Sequence, residues 1–291
     1  MKCMAWAAGL LGWALACALP LSARAAEPQR VEVNSLDQAQ GQAVRLPGFW
    51  FAAASSNASA PAMLLLHGCG GPYGRDGQLG QRMREYAALL TAAGVHVLVT
   101  DSFTPRGERE ICTQKVGTRQ VTQLNRRRDA LGALKWLAQQ PGVNPSRIGV
   151  LGWSNGGSNV LAATNLAHPE VRQAGVRPAL SVAFYPGCED EQRRGYRPAA
   201  PLLMLLGGAD DWTPPGPCEA LAAASAEPKP EVVVYPGVFH GFDGTGPVQL
   251  LRNVPNGVNP GQGVHMGGDA EARAASRARL LDVVQRHLLA P

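Results

Sequence analysis

Ile148-Gly149-Val150-Leu151-Gly152-Trp153-Ser154-Asn155-Gly156-Gly157-Ser158-Asn159-Val160-Leu161 reads as a short apolar strand, a glycine-flanked serine and a helix that starts at once. Within it Gly152-Trp153-Ser154-Asn155-Gly156 has the G-x-S-x-G spacing of a strand-to-helix turn that strains a serine and lifts its hydroxyl above a sheet edge. Glycines on both sides let the chain bend without Cβ clashes. With 34 glycines in 291 residues the pentapeptide alone could arise by chance. Its weight comes from the strand before it, the helix after it and the partners further along.

Outward from this turn, strands and helices alternate. Val44 to Ala54 carries Phe49, Trp50 and Phe51 and is expected to form an early edge hairpin, with a polar turn over Ser55 to Ser59. Met63 to Leu66 is a continuous apolar run that opens into His67-Gly68-Cys69-Gly70-Gly71. Helical spacing follows over Gln81 to Ala93, a strand over Val95 to Thr100, a long polar loop over Asp101 to Gly117 and a second helix over Gln120 to Gln139. Beyond the serine helix, which is expected to reach about Ala167, lie strands Leu180 to Phe184, Leu202 to Leu206 and Val232 to Tyr235. A helix around Cys218 to Ala226 precedes the last of these, Gly237 to Gly268 reads as a surface loop, and Ala270 to Leu289 closes the chain as a helix. Nearly all-apolar strands alternating with helices predict an α/β fold, a mainly parallel twisted sheet with helices on both faces.

Met1-Lys2, the apolar block Cys3 to Leu21 and Ser22-Ala23-Arg24-Ala25-Ala26 have the order of a secretory signal peptide. Cleavage is expected after Ala25 or nearby, leaving one domain over 26–291 that is periplasmic or secreted, with no stable membrane insertion. A membrane anchor is the competing reading, disfavoured by the short block and its A-x-A end. Once Cys3 and Cys17 are removed with that segment, Cys69, Cys112, Cys188 and Cys218 remain, an even number in an exported chain. Neighbouring loops favour pairing Cys69 with Cys112 and Cys188 with Cys218. No C-x-x-C occurs and no histidine stands at zinc spacing from a cysteine, so no metal site is expected, and no motif implies an organic cofactor. The formal charge of +5 comes without a dense basic stretch. Arg126-Arg127-Arg128 is expected to be a solvated helix face, and no nucleic-acid partner is implied.

In open parallel sheets, ligands bind beyond the carboxyl ends of the strands. Ser154, Asp210 and His240 each follow a strand there, in the order Ser, acid, His. A serine hydroxyl needs a base, and the base needs an orienting acid. The expected roles are therefore Ser154 as nucleophile, His240 as general base and acid, and Asp210 as orienter. Asp211 is the rival acid; Gly207-x-x-Asp210-x-x-Thr213-Pro214 favours Asp210. The N–H groups of Cys69 and Asn155 are the expected oxyanion hole, worth about 3 kcal/mol of barrier per donor. His67 is expected to brace its loop, His96 to be a core or sheet-face histidine, and Phe103, Tyr185 and Trp212 to line a substrate pocket. Arg106 and Arg109 could meet a substrate carboxylate.

The His67 to Gly71 loop, Gly152 to Gly157, the Asp210 turn and His240-Gly241-Phe242 resemble the dienelactone hydrolase family of the α/β-hydrolase superfamily, from Met63 to the C-terminal helix. The founding members use a cysteine nucleophile where this chain has Ser154. The resemblance, so modified, implies a serine hydrolase that cleaves a small-molecule carboxylic ester or lactone through an acyl-enzyme. A peptidase, an acyltransferase or a non-catalytic binding protein on the same scaffold are the alternatives.

Overall fold

A computed structural model of the chain describes residues 27–53 and 59–290. The expected signal peptide at 1–25 and most of the polar turn at 55–59 lie outside these described residues.

The sheet has eight strands: β1 (Gln29–Ala39), β2 (Gln42–Phe51), β3 (Ala60–Leu66), β4 (His96–Thr100), β5 (Val143–Trp153), β6 (Leu180–Phe184), β7 (Leu202–Gly207) and β8 (Glu231–Tyr235), in the spatial order β1-β2-β4-β3-β5-β6-β7-β8. The β1–β2 and β2–β4 pairs are antiparallel and the remaining pairs are parallel. The early hairpin therefore exists, but its strand β2 is interior, and β1, which the apolar pattern does not mark, forms the edge. The inward positions of β1 are Val33, Ser35 and Asp37, and two of these three are polar. That strand is held by chemistry as well as by burial: Ser35 and Asp37 engage Asp129, Arg106, Asn125 and Arg128.

Alternation along the parallel strands supplies two apolar faces. On β3, Ala62, Leu64 and Leu66 belong to one cluster with Ile148, Val150 and the apolar faces of α2 (Gln123–Ala138), α3 (Asn155–Thr164) and α6 (Gly216–Ala224). Met63 and Leu65 face the other way, with Leu151, Trp153 and Phe184, under α1 (Gln81–Ala92) and α7 (Ala270–Val284). The helices thus cover both faces, as the near-continuous apolar strands require. Short helices α4 (Pro169–Gln173) and α5 (Glu189–Arg194) fill connections. The serine helix ends at Thr164, three residues early, and the expected surface loop over Gly237 to Gly268 contains a small antiparallel pair, β9 (Gln249–Leu251) and β10 (Val264–Met266). Among the described residues no helix is long and apolar enough to cross a membrane.

Cys69 pairs with Cys112 and Cys188 with Cys218, the connectivity that neighbouring loops favoured, with Cα separations of 4.9 and 5.1 Å.

The strand order also locates the site. From β3 the chain moves outward to β4, then returns across β3 to β5 and continues the opposite way through β8. The sheet thus reverses its winding between β3 and β5, and the crevice beyond their carboxyl ends is where such folds bind ligands. The loop after β3 begins at His67 and the turn after β5 is Ser154.

Candidate active site

Ser154 has φ +53° and ψ −119°, a conformation that costs a non-glycine residue about 1–3 kcal/mol. Its surroundings enforce it. Its N–H donates to the Phe184 carbonyl at 2.9 Å and its own carbonyl accepts from Ser158 N–H at 2.9 Å. A Cβ on Gly152 would overlap the Gly156 carbonyl, and one on Gly156 would overlap the Leu66 carbonyl at the end of β3. Both glycines are therefore dictated by close backbone approach. Trp153 turns inward, packing against Tyr86 and Phe184.

The three residues expected from their strand-end positions meet. The Ser154 hydroxyl lies 2.9 Å from His240 Nε2, and His240 Nδ1 lies 2.8 Å from Asp210 Oδ2. With the ring proton on Nδ1, the imidazole donates to Asp210 and its Nε2 lone pair accepts from the serine. Asp210 Oδ1 accepts the N–H groups of Trp212 and Thr213, both at 2.9 Å. The adjacent carboxylate faces elsewhere: Asp211 accepts from His265 N–H at 2.8 Å and lies 2.7 Å from its Nδ1. Of the two aspartates, only Asp210 touches His240.

Four residues stand behind this chain of hydrogen bonds, and among them only Tyr185 was expected at the site, as pocket lining. The Thr213 hydroxyl lies 3.1 Å from both Asp210 Oδ2 and His240 Nδ1, and 3.0 Å from the Tyr185 carbonyl; the Thr-Pro spacing after Asp210 was its only signal. Tyr185, with φ +38°, packs its ring 4.5 Å from that of His240. Its hydroxyl donates to Asp243 at 2.5 Å, and Arg82 donates twice to the same carboxylate at 3.0 and 3.2 Å. These two side chains anchor the segment that carries His240 to α1 and to the strand end of β6.

The loop after β3 approaches the serine through Gly68, whose added Cβ would lie 3.3 Å from the Trp153 carbonyl and 3.7 Å from Ser154 Cβ. Cys69 is pinned twice: its carbonyl accepts from Ile111 N–H at 2.8 Å and its sulfur is bonded to Cys112. No protein acceptor takes the N–H of Cys69 or of Asn155 among the described residues. His67 braces the loop, as its position suggested. Its Nε2 accepts from Ser102 N–H at 3.2 Å and its Nδ1 donates to the Gly68 carbonyl at 2.8 Å.

Burial, reinforced by the Arg126 cation, holds the His67 pKa well below its ordinary 6.5. The unfolded chain therefore takes up a proton near pH 6.5 that the folded chain refuses. Stability is full above that pH and falls as pH drops below it, by at most about 1.4 kcal/mol per pH unit from this group. Denaturant titrations between pH 6.5 and about 5 should show that slope, and His67→Gln, which keeps an acceptor for Ser102, should flatten it.

Of the aromatic residues expected to line a pocket, Phe103 and Tyr185 are fully buried and offer a substrate no surface. Phe103 instead packs edge-on against His67 at 4.5 Å. Trp212 is half-buried, 4.7 Å from the His240 ring and beside the Cys69 and Cys112 cluster. The carboxylate-binding role suggested for Arg106 is corrected: its guanidinium is consumed by Asp37, Asp129 and the Ser102 carbonyl. The solvated face expected of Arg126-Arg127-Arg128 is corrected too. Arg127 and Arg128 pair with Glu170, and Arg126 is buried. His96 is a sheet histidine, its Nδ1 accepting from Ala53 N–H at 3.0 Å.

Comparison with known proteins agrees with the geometry. The chain is 31% identical over 211 residues to an uncharacterized Mycobacterium tuberculosis protein, covering 66% of this chain and 67% of that one. It is 27% identical over 143 residues to a Bradyrhizobium protein described as a probable 2-oxo-3-(5-oxofuran-2-ylidene)propanoate lactonase, covering 45% and 54% of the two chains. In three dimensions it is similar to a dienelactone hydrolase-like promiscuous phosphotriesterase from metagenomic libraries, with a TM-score of 0.61, 18% identity, and 90% and 99% of the chains covered. The dienelactone hydrolase family profile matches residues 50–288. An α/β-hydrolase sheet reversing at β3 and β5, with that match across most of its length, places this chain in the dienelactone hydrolase family.

Proposed function

We propose that this hydrolase cleaves a small-molecule carboxylic ester or lactone through an acyl-enzyme on Ser154. The observation that carries the reading is the continuous hydrogen-bonded chain from Ser154 Oγ through His240 to Asp210. The Ser154 oxygen attacks the substrate carbonyl carbon while its proton passes to His240 Nε2. The carbonyl oxygen becomes an oxyanion facing the free N–H groups of Cys69 and Asn155. Collapse breaks the bond to the alkoxy oxygen, which leaves with the proton from His240. In the second half, a water gives its proton to His240 and attacks the acyl carbon; the bond to Ser154 Oγ then breaks, His240 returns the proton to that oxygen, and the acid is released. Asp210 stabilises the imidazolium that forms in each half. A lactone reacts identically, its alcohol remaining tethered to the acyl group.

The Bradyrhizobium relative supports the inclusion of lactones. Trp212, over the His240 ring and half-exposed, is the aromatic surface offered to substrate. Export to the periplasm or medium completes the proposal, supported by two disulfides and the 1–25 segment. The test is a panel of p-nitrophenyl esters of increasing acyl length, simple lactones and peptide substrates, with a fluorophosphonate probe alongside. Turnover of esters or lactones with probe labelling is expected. Turnover of peptides alone would replace the substrate class, and an unlabelled, inactive protein would move the chain to a binding role.

A further inference from the structure

Arg126, on the first turns of α2, has 0% of its surface exposed. One guanidinium nitrogen donates to the His67 carbonyl at 2.7 Å and another to the Asn155 side-chain oxygen. Its guanidinium carbon lies over the Phe103 ring, 5.1 Å from the centroid, and its Nε has no acceptor among the described residues. The carboxylates nearest in influence are occupied elsewhere. Asp101 accepts from the N–H groups of Phe103 and Thr104 and from the Thr104 hydroxyl, and Asp129 accepts from Ser35 and twice from Arg106. The guanidinium is therefore a buried cation with no carboxylate bonded to it, an arrangement that costs stability and needs a compensating use. Burial lowers its pKa to about 10, which leaves it charged at neutral pH.

Its two protein acceptors identify the use. His67 leads into the backbone that presents the Cys69 N–H, and Asn155 presents the other free N–H beside the nucleophile. The same helix reinforces the second arm, the Gln123 amide donating to the Asn155 carbonyl at 3.1 Å. We propose that Arg126 is a positioning residue for the oxyanion hole: it fixes the separation of the Cys69 and Asn155 amides, and its buried charge favours the substrate oxygen once that oxygen has become an anion. This inference rests on the acyl-enzyme reading of Ser154. Because the charge acts on a state that exists only after attack, it should raise kcat and leave ground-state binding nearly untouched.

Three variants of the full mature chain test it: Arg126→Met, Arg126→Lys and Asn155→Ala, the last cutting one end of the clamp while keeping the cation and the Asn155 N–H. On p-nitrophenyl acetate, Arg126→Met should lose about 100-fold in kcat with KM changed by less than about threefold, and Arg126→Lys should recover about tenfold of that loss. Asn155→Ala should lose about tenfold in kcat, which decides the matter if the Met variant does not fold. Affinity for phenylboronic acid, a mimic of the tetrahedral state, should fall in parallel with kcat. A folded Met variant with kcat unchanged, or a loss confined to KM, would overturn the proposal. If the wild-type protein turns over no ester or lactone, the acyl-enzyme reading has failed on its own. A crystal structure of Arg126→Met then decides the positioning claim: the 67–69 backbone displaced relative to Asn155 upholds it, and an unmoved backbone refutes it.

Discussion

Replacing Ser154 by alanine is expected to lower kcat/KM for an ester substrate by about 10⁴-fold or more. The size follows from the geometry. Among the described residues the hydroxyl is the hydrogen-bond partner of His240 Nε2, so its removal is expected to leave the base without a proton to take and the acyl group without a covalent carrier. Residual rate should come from water attacking a carbonyl held at the two free amides. The variant should fold, because the 154 backbone, and not its hydroxyl, makes the hydrogen bonds to Phe184 and Ser158 that hold the strained turn. Circular dichroism and a thermal melt matching wild type, with the ester rate lost, is the expected pair of results.

The second large effect separates two neighbouring carboxylates. Asp210→Asn should cost about 10⁴-fold in kcat. The amide that replaces Oδ2 can donate toward Nδ1, which favours the tautomer with its proton on Nε2, where the serine needs a lone pair. It also removes the negative charge that stabilises the imidazolium. Asp211→Asn should change kcat by less than about tenfold, because Asp211 is bound to His265 on β10 and does not touch His240. Steady-state rates of the two variants on one ester give the ratio directly. Equal losses would mean that the carboxylates share the role, which the observed geometry does not allow.

How much of this was readable from the chain depends on what each residue signals locally. The G-x-S-x-G turn and the strand-end positions of Asp210 and His240 were legible because backbone sterics and the winding of a parallel sheet demand them. The edge strand β1 was not, because Ser35 and Asp37 occupy its inward positions and erase the apolar alternation on which a strand is recognised. Phe103 and Tyr185 follow strands, but sequence position cannot tell a residue that lines a crevice from one sealed beneath it. Arg126 was hidden by its company: in a run of three arginines charge suggests water. Its spacing to Ala130, Ala133, Leu134 and Leu137 nevertheless puts it on the buried face of α2. Asp243 and Arg82 act through partners 58 and 161 residues away, and no local pattern encodes such pairings; Thr213 left only its spacing from Asp210 as a trace.

In the proposed reaction Ser154 carries the acyl group. The most direct measurement is an acid quench of the wild-type protein during turnover of p-nitrophenyl acetate, followed by mass spectrometry of the intact chain and of its peptides. One added acetyl group is expected, confined to the peptide containing Ser154 and absent from the Ser154→Ala protein. An acetyl group on another residue, or turnover that persists undiminished in Ser154→Ala, would contradict it.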